Sequence, residues 1–108
     1  MRNDAIAKLE ALRGGLRDGA LLRYSLGNEW LKAGDAQTAS DYLREAVALD
    51  PKFSAAWKLL GKALTAAGQN EAALEAYEAG IQVAEAKGDR QAVKEMGVFA
   101  RRLRTGDD

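Results

Sequence analysis

Apolar and polar positions recur along the chain with helical spacing, and no run alternates with period two over a useful length. In the first segment, Asp4 to Arg13, the residues Ile6, Leu9 and Leu12 share one face. Asn3 stands at its N-cap position, and Gly14-Gly15 is placed to end it. The same periodicity predicts five further helices, at about 20–33, 36–49, 54–67, 71–87 and 90–104, and leaves Thr105 to Asp108 as a frayed tail. Short breaks separate them, marked by glycine beside Asp, Asn or Gln: Arg17-Asp18-Gly19, Gly34-Asp35, Gly68-Gln69-Asn70 and Gly88-Asp89. One proline among 108 residues agrees with an all-α chain without strands.

Helices of similar length at regular spacing invite a test for an internal repeat. Shifting the chain by 34 residues pairs Leu26 with Leu60, Gly27 with Gly61, Ala33 with Ala67, Gly34 with Gly68 and Ala39 with Ala73. Conservative pairs fill the other apolar columns: Trp30/Leu64, Leu43/Tyr77, Ala46/Gly80, Val47/Ile81 and Leu49/Val83. Each has a physical reading. Gly27 and Gly61 fall inside helices, where glycine costs about 1 kcal/mol against alanine, so a close helix–helix approach is expected there. Ala39, Ala73, Ala46 and Gly80 allow the same closeness from the second helix of each pair, Gly34 and Gly68 fit the turn between the two, and Pro51 ends the first pair.

This pattern resembles the tetratricopeptide repeat. In the second repeat the signature positions are Trp57, Leu60-Gly61, Leu64, Ala73, Tyr77 and Gly80; in the first they are Leu26-Gly27, Trp30, Ala39, Leu43, Ala46 and Pro51. The departures are Arg23 at the first aromatic position, Leu64 at the second aromatic of repeat two, and Glu85 where a second proline would stand. The organisation expected is one domain: residues 1–19 a capping helix and loop, 20–53 repeat one, 54–87 repeat two, 88–104 a C-terminal capping helix, and 105–108 the tail. In the last helix Val93, Met96, Gly97 and Ala100 occupy the four core columns, two residues later than strict periodicity, with reduced bulk as suits a wettable end. The resemblance implies a short right-handed α-solenoid of six helices. In it the first helices of successive repeats line a concave groove and the second helices form the back.

Composition then removes most chemistry. The chain has no His and no Cys, so thiol nucleophiles, Ser-His-Asp triads, disulfides and zinc sites of the usual kind are excluded. No nucleophile–base constellation or glycine-rich phosphate loop is present, and no catalytic residue, metal ligand or cofactor is expected. Glu71, Glu75 and Glu78 read as a solvated helix face rather than a metal site. The longest apolar run is Ala46 to Leu49, too short to span a membrane, and Asp4 and Glu10 break the N-terminus as a secretory signal, so a soluble cytoplasmic protein is expected. Arg101-Arg102-Leu103-Arg104 lacks the aromatic interleaving of RNA-binding modules, so no nucleic-acid partner is expected.

Lys+Arg and Asp+Glu both number 16, but they are unevenly placed. The second helices hold Asp41, Glu45, Glu71, Glu75, Glu78 and Glu85 against Arg44 and Lys87. Lys58 and Lys62 stand on a first helix that has no acid, and the last helix holds Arg90, Lys94, Arg101, Arg102 and Arg104 against Asp89 and Glu95. Aligned by register, the inward columns read Tyr24/Lys58/Lys94, Asn28/Lys62/Val98 and Leu31/Thr65/Arg101. A concave wall of one sign focuses potential and favours an acidic segment. The function expected is a non-enzymatic interaction module, an adaptor or scaffold binding an acidic or mixed peptide. Its groove is formed by Tyr24, Asn28, Leu31, Lys58, Lys62, Thr65, Lys94 and Arg101. The plainer reading of the same cations is a solubilising surface.

A subclass of the resembled family grips a C-terminal carboxylate through a two-carboxylate clamp. Of its positions only Asn28 matches; the others hold Tyr24, Leu59, Gln91 and Glu95, which argues against that mode. Trp30 and Trp57 are read as packing residues, Tyr77 as core and Tyr42 as half-exposed. The alternative function is a self-associating structural protein that dimerises through Val98, Phe99 and Leu103, with Phe99 packed back on the preceding helix as the plainer reading. The state expected is a monomer or a weak homodimer.

Overall fold

The computed structural model describes residues 4–106. Six α-helices follow in order: α1 (Asp4–Glu10), α2 (Ala20–Lys32), α3 (Ala36–Leu49), α4 (Ser54–Ala66), α5 (Asn70–Lys87) and α6 (Arg90–Thr105), with no strand among the described residues. The chain is an all-α helical-repeat solenoid.

Glycine and aspartate set the helix boundaries together. Gly34 and Gly88 turn the chain at φ of +90° and +74°, a region other residues avoid, and the aspartate after each caps the next helix. The Asp35 carboxylate accepts from the Thr38 N–H at 3.0 Å and the Thr38 hydroxyl at 2.8 Å, and Asp89 accepts from the Ala92 N–H at 3.1 Å. Between α4 and α5, Gly68 turns at φ +79°, but Gln69 makes no cap bond. Its amide instead donates to Gln37 Oε1 at 2.7 Å, tying the second turn to the start of α3.

Two ends differ from expectation. α1 stops at Glu10 and not at Arg13, because the N–H groups of Leu12 and Arg13 turn to carbonyls three residues back (Leu9 and Glu10). Leu12 remains 40% exposed, so no burial rewards another helical turn. The Asn3 cap lies outside the described residues. At the other end Thr105 belongs to α6, its hydroxyl bonded to the Arg101 carbonyl at 3.1 Å, and Gly106 closes the helix at φ +78°. Asp107 and Asp108 lie outside the described residues.

The glycine columns account for the packing. A Cβ on Gly27 would lie 2.5 Å from Leu43 Cγ, and one on Gly61 would lie 2.4 Å from Tyr77 Cε1. Gly80 is pinched from two sides, by Met96 Sδ at 2.5 Å and Trp57 Cβ at 2.8 Å from the same notional atom. The first helix of each pair thus receives a large side chain of the second on bare backbone, and α5 sits between α4 and α6 on similar terms. Leu26, Leu43, Leu64 and Met96 are fully enclosed, and Tyr77 is 2% exposed. Trp57 is half-buried and fixed by a hydrogen bond from Nε1 to the Pro51 carbonyl at 2.8 Å.

α1 is attached by an apolar patch and a polar clasp. Ile6 packs with Leu22 and Leu26, beside Leu9, Trp30 and Tyr42. The Tyr42 hydroxyl donates to Glu10 at 2.6 Å, and Arg13 reaches the same carboxylate at 3.0 Å. These bonds, the Tyr42 one foremost, hold the Glu10 carboxyl below the ordinary carboxylate range, against a smaller opposing effect of burial. The buried Trp30 Nε1 has no partner of good hydrogen-bond geometry among the described residues, though it adds a weak attraction at Glu10.

Candidate peptide-binding face

Helix neighbours define which face is inner. α4 touches both α2 and α6, whereas α3 and α5 do not meet. The first helices therefore form a continuous inner row, and the second helices splay apart on the outside.

On that inner row α4 and α6 enclose a cleft of about 330 Å³. α4 contributes Lys58 and Lys62. α6 contributes Gln91, Lys94, Glu95, Val98, Phe99 and Arg102. Four cations thus stand against one carboxylate. Glu95 is already engaged, accepting from Lys58 Nζ at 2.8 Å and from Gln91 Nε2 at 3.1 Å. The Lys58 bond is the main reason its carboxyl lies below the ordinary range. Lys62 holds its ammonium 5.4 Å from the centre of the Phe99 ring, a cation–π contact that leaves the charge facing the cleft. Phe99 itself stacks against Tyr77 of α5 at 5.5 Å.

The structure brings Lys58, Lys62 and Lys94 together around this cleft and sets the other five expected groove residues elsewhere. Tyr24 packs on Phe53 at 4.9 Å, Asn28 is half-buried, and Leu31 packs against the larger core cluster. The Thr65 hydroxyl is bonded to the Gly61 carbonyl at 2.8 Å. Arg101 is exposed and does not line the cleft. Its neighbour Arg102 does, because the side of α6 that faces α4 runs through residues 91, 95, 98 and 102, with Lys94 at its edge and Arg101 turned away. In the sequence Arg102 stands out only as part of the basic run 101–104, and Glu95 only as a mismatch at a clamp position; neither is assigned to the groove there. The sequence signal that distinguishes them is the i, i+4, i+7, i+11 spacing from Gln91. Of the residues considered for self-association, Val98 lines the cleft, Phe99 rests on Tyr77, and Leu103 is half-buried against the core clusters.

The remaining charges are partly cross-linked between faces. Arg23 binds Asp18 at 2.8 Å and also pairs with Glu45 of α3, while Arg104 reaches Glu78 of α5 at 2.9 Å. These cations hold the two faces together instead of adding to the cleft. A second, apolar cleft of about 520 Å³ lies beside Trp57, between Pro51 and Ala86, with Lys52 and Lys87 at its rim. Among the described residues no group of three acids is arranged to hold a metal ion, and no helix is long and apolar enough to cross a membrane.

Comparison with known proteins agrees with this architecture. The sequence profile of the tetratricopeptide repeat matches residues 31–94. The TPR repeat-containing protein PA0015 of Pseudomonas aeruginosa is 54% identical over 86 residues, which cover 80% of this chain and 82% of that one. Among solved structures, protein BPP2914 from Bordetella parapertussis superposes with a TM-score of 0.80 at 40% identity, over 94% of this chain and 89% of the other. The Sgt2 TPR domain from Aspergillus fumigatus shares the fold at 22% identity, with a TM-score of 0.77 over 99% of this chain and 73% of that one. Proteins built this way generally mediate protein–protein interactions and are generally not enzymes. With its paired helices, its glycine columns and these relatives, the chain belongs to the tetratricopeptide repeat family.

Proposed function

We propose that the protein is a non-enzymatic adaptor that docks an acidic peptide segment of a partner on its inner face, centred on the cleft between α4 and α6. The observation that carries this reading is the charge around the cleft: Lys58, Lys62, Lys94 and Arg102 face it, and the single carboxylate present, Glu95, is already bonded. A partially enclosed wall of one sign strengthens attraction for carboxylates and speeds their encounter. Phe99 and Val98 supply apolar floor, so an acidic segment with an aliphatic or aromatic residue fits better than a purely charged one. Tyr24, Asn28 and Leu31 of α2 extend the surface for a longer segment, Asn28 through its amide and the other two through apolar contact.

Self-association through α6 has less support, because Phe99 and Leu103 already spend much of their apolar surface inside the protein. The test is affinity capture from native lysate with the wild type and with Lys62→Glu/Arg102→Glu, after both are shown to melt alike. This pair is chosen because reversing Lys58 would also break its bond to Glu95. A protein retained by the wild type and lost by the variant supports the reading. Equal retention by both proteins refutes it.

A further inference from the structure

The repeat register places three glycines in one column: Gly27, Gly61 and Gly97. The first two each receive a large side chain from the next helix, Leu43 and Tyr77 respectively, so closely that a Cβ would collide. Gly97 is half-buried in the middle of α6, and nothing lies within 4 Å of where its Cβ would be. Glycine inside a helix is unfavourable relative to alanine. At Gly27 and Gly61 the close packing compensates. At Gly97 no atom of the described chain does, and a face shaped only for water would gain from alanine.

The surroundings of Gly97 indicate what fits there. Arg90, Val93, Lys94, Gly97 and Arg101 follow helical spacing along one side of α6. Arg90, Val93 and Lys94 edge a depression of about 350 Å³ whose far rim carries Glu85 and Asp89, the latter occupied as the α6 cap. The helices that fill the other two seats carry acids on their exposed sides, Asp41 and Glu45 in α3 and Glu75 and Glu78 in α5, and at the first seat Glu45 reaches across to pair with Arg23 of α2. We propose that this side of α6 is a seat for an amphipathic helix of a partner protein, which sets one large apolar side chain on Gly97 with carboxylates toward Arg90, Lys94 and Arg101. Two copies meeting through this stripe would oppose like charges, and the apolar faces of α3 and α5 are committed within their own fold. The seat is distinct from the peptide cleft, although Lys94 borders both.

The probe is a fluorescein-labelled peptide with the sequence of residues 70–87, its helix fixed by a staple joining positions 82 and 86, which are exposed in α5. It is titrated against the full chain by fluorescence anisotropy. Saturable binding is expected, weakening as salt is raised. Gly97→Leu should raise Kd by about tenfold or more, since overpacking at a tight contact is strongly unfavourable. Gly97→Ala should give opposite signs in two assays: a Tm higher by a few degrees, roughly 4–8 °C, and weaker peptide binding. Lys62→Glu/Arg102→Glu, which alters the cleft alone, should leave this binding unchanged. The proposal is overturned if the wild type shows no saturable binding, if Gly97→Leu binds as well as the wild type, or if only the cleft variant loses the peptide. A wild-type dimer that Gly97→Leu dissolves would put a second copy on the seat and overturn it too.

Discussion

Gly61→Ala adds one methyl group at the tightest approach between α4 and α5. The new carbon would stand 2.4, 2.6 and 2.7 Å from three atoms of the Tyr77 ring, well inside contact distance. The ring has little room to retreat, being 2% exposed and backed by Phe99 at 5.5 Å. Two effects compete. Alanine in place of a mid-helix glycine gains about 1 kcal/mol from helix propensity. Forcing an extra methyl into a close-packed contact costs ~1–3 kcal/mol. Three simultaneous overlaps with a planar ring place this case toward the upper end, so a net loss of about 1–2 kcal/mol is expected. For a chain of this size that lowers Tm by roughly 5–15 °C. The assay is thermal unfolding followed by helical circular dichroism. Gly27→Ala, whose Cβ would meet Leu43 Cγ at 2.5 Å, should behave alike, and Gly97→Ala serves as the internal control of opposite sign. If Gly61→Ala melts at or above the wild type, the close approach is not what keeps glycine there, and the packing argument fails.

Other parts of the fold make equally direct predictions. Because Glu10 is held below the ordinary carboxylate range, the α1 clasp contributes fully above the unfolded carboxylate value, about 4.3, and is lost as pH falls through the lower folded value. The Ile6 methyl resonance should therefore shift in acid below about pH 4 in the wild type and lose that transition in Tyr42→Phe; a flat titration of the wild type would contradict the clasp. Asp35→Ala removes the α3 cap and should lower stability by about 1 kcal/mol in urea melts, whereas Gln69→Ala, which caps nothing, should cost less. Trp57→Phe deletes the bond to the Pro51 carbonyl while keeping an aromatic ring, and an unchanged urea midpoint would show that this bond contributes no net stability; about 1 kcal/mol of loss is expected.

The repeat was legible because its constraints are local and steric. A glycine that must accept Leu43 or Tyr77 leaves a mark in the sequence at a fixed offset, and so does the Gly-Asp pair that turns the chain and caps the next helix. The α1 clasp was not legible, since Glu10 and Tyr42 are 32 residues apart and either alone is an ordinary surface residue. The cleft lies between these cases. Lys58, Lys62 and Lys94 were recovered from the register, but the choice between Arg101 and Arg102 depends on how far α6 is rotated about its axis. Adjacent residues differ by about 100° around a helix, so a modest rotation exchanges one arginine for the other. Likewise the pairing of Lys58 with Glu95 joins two helices 37 residues apart, and no periodicity encodes it.

That α3 and α5 never meet, while each first helix touches its neighbours, also shapes how the molecule comes apart. Every helix depends only on those beside it, so cooperativity is passed along the stack and is not shared through one centre. Unfolding can then begin at an end without disturbing the far side, and α1, seven residues long and held only by its packing on α2 and the Tyr42 clasp from α3, is the place for it to start. The pair α4–α5, clasped on both flanks, should be the last to open and the first to form, which makes the middle of the chain both its folding nucleus and its most protected segment in hydrogen exchange.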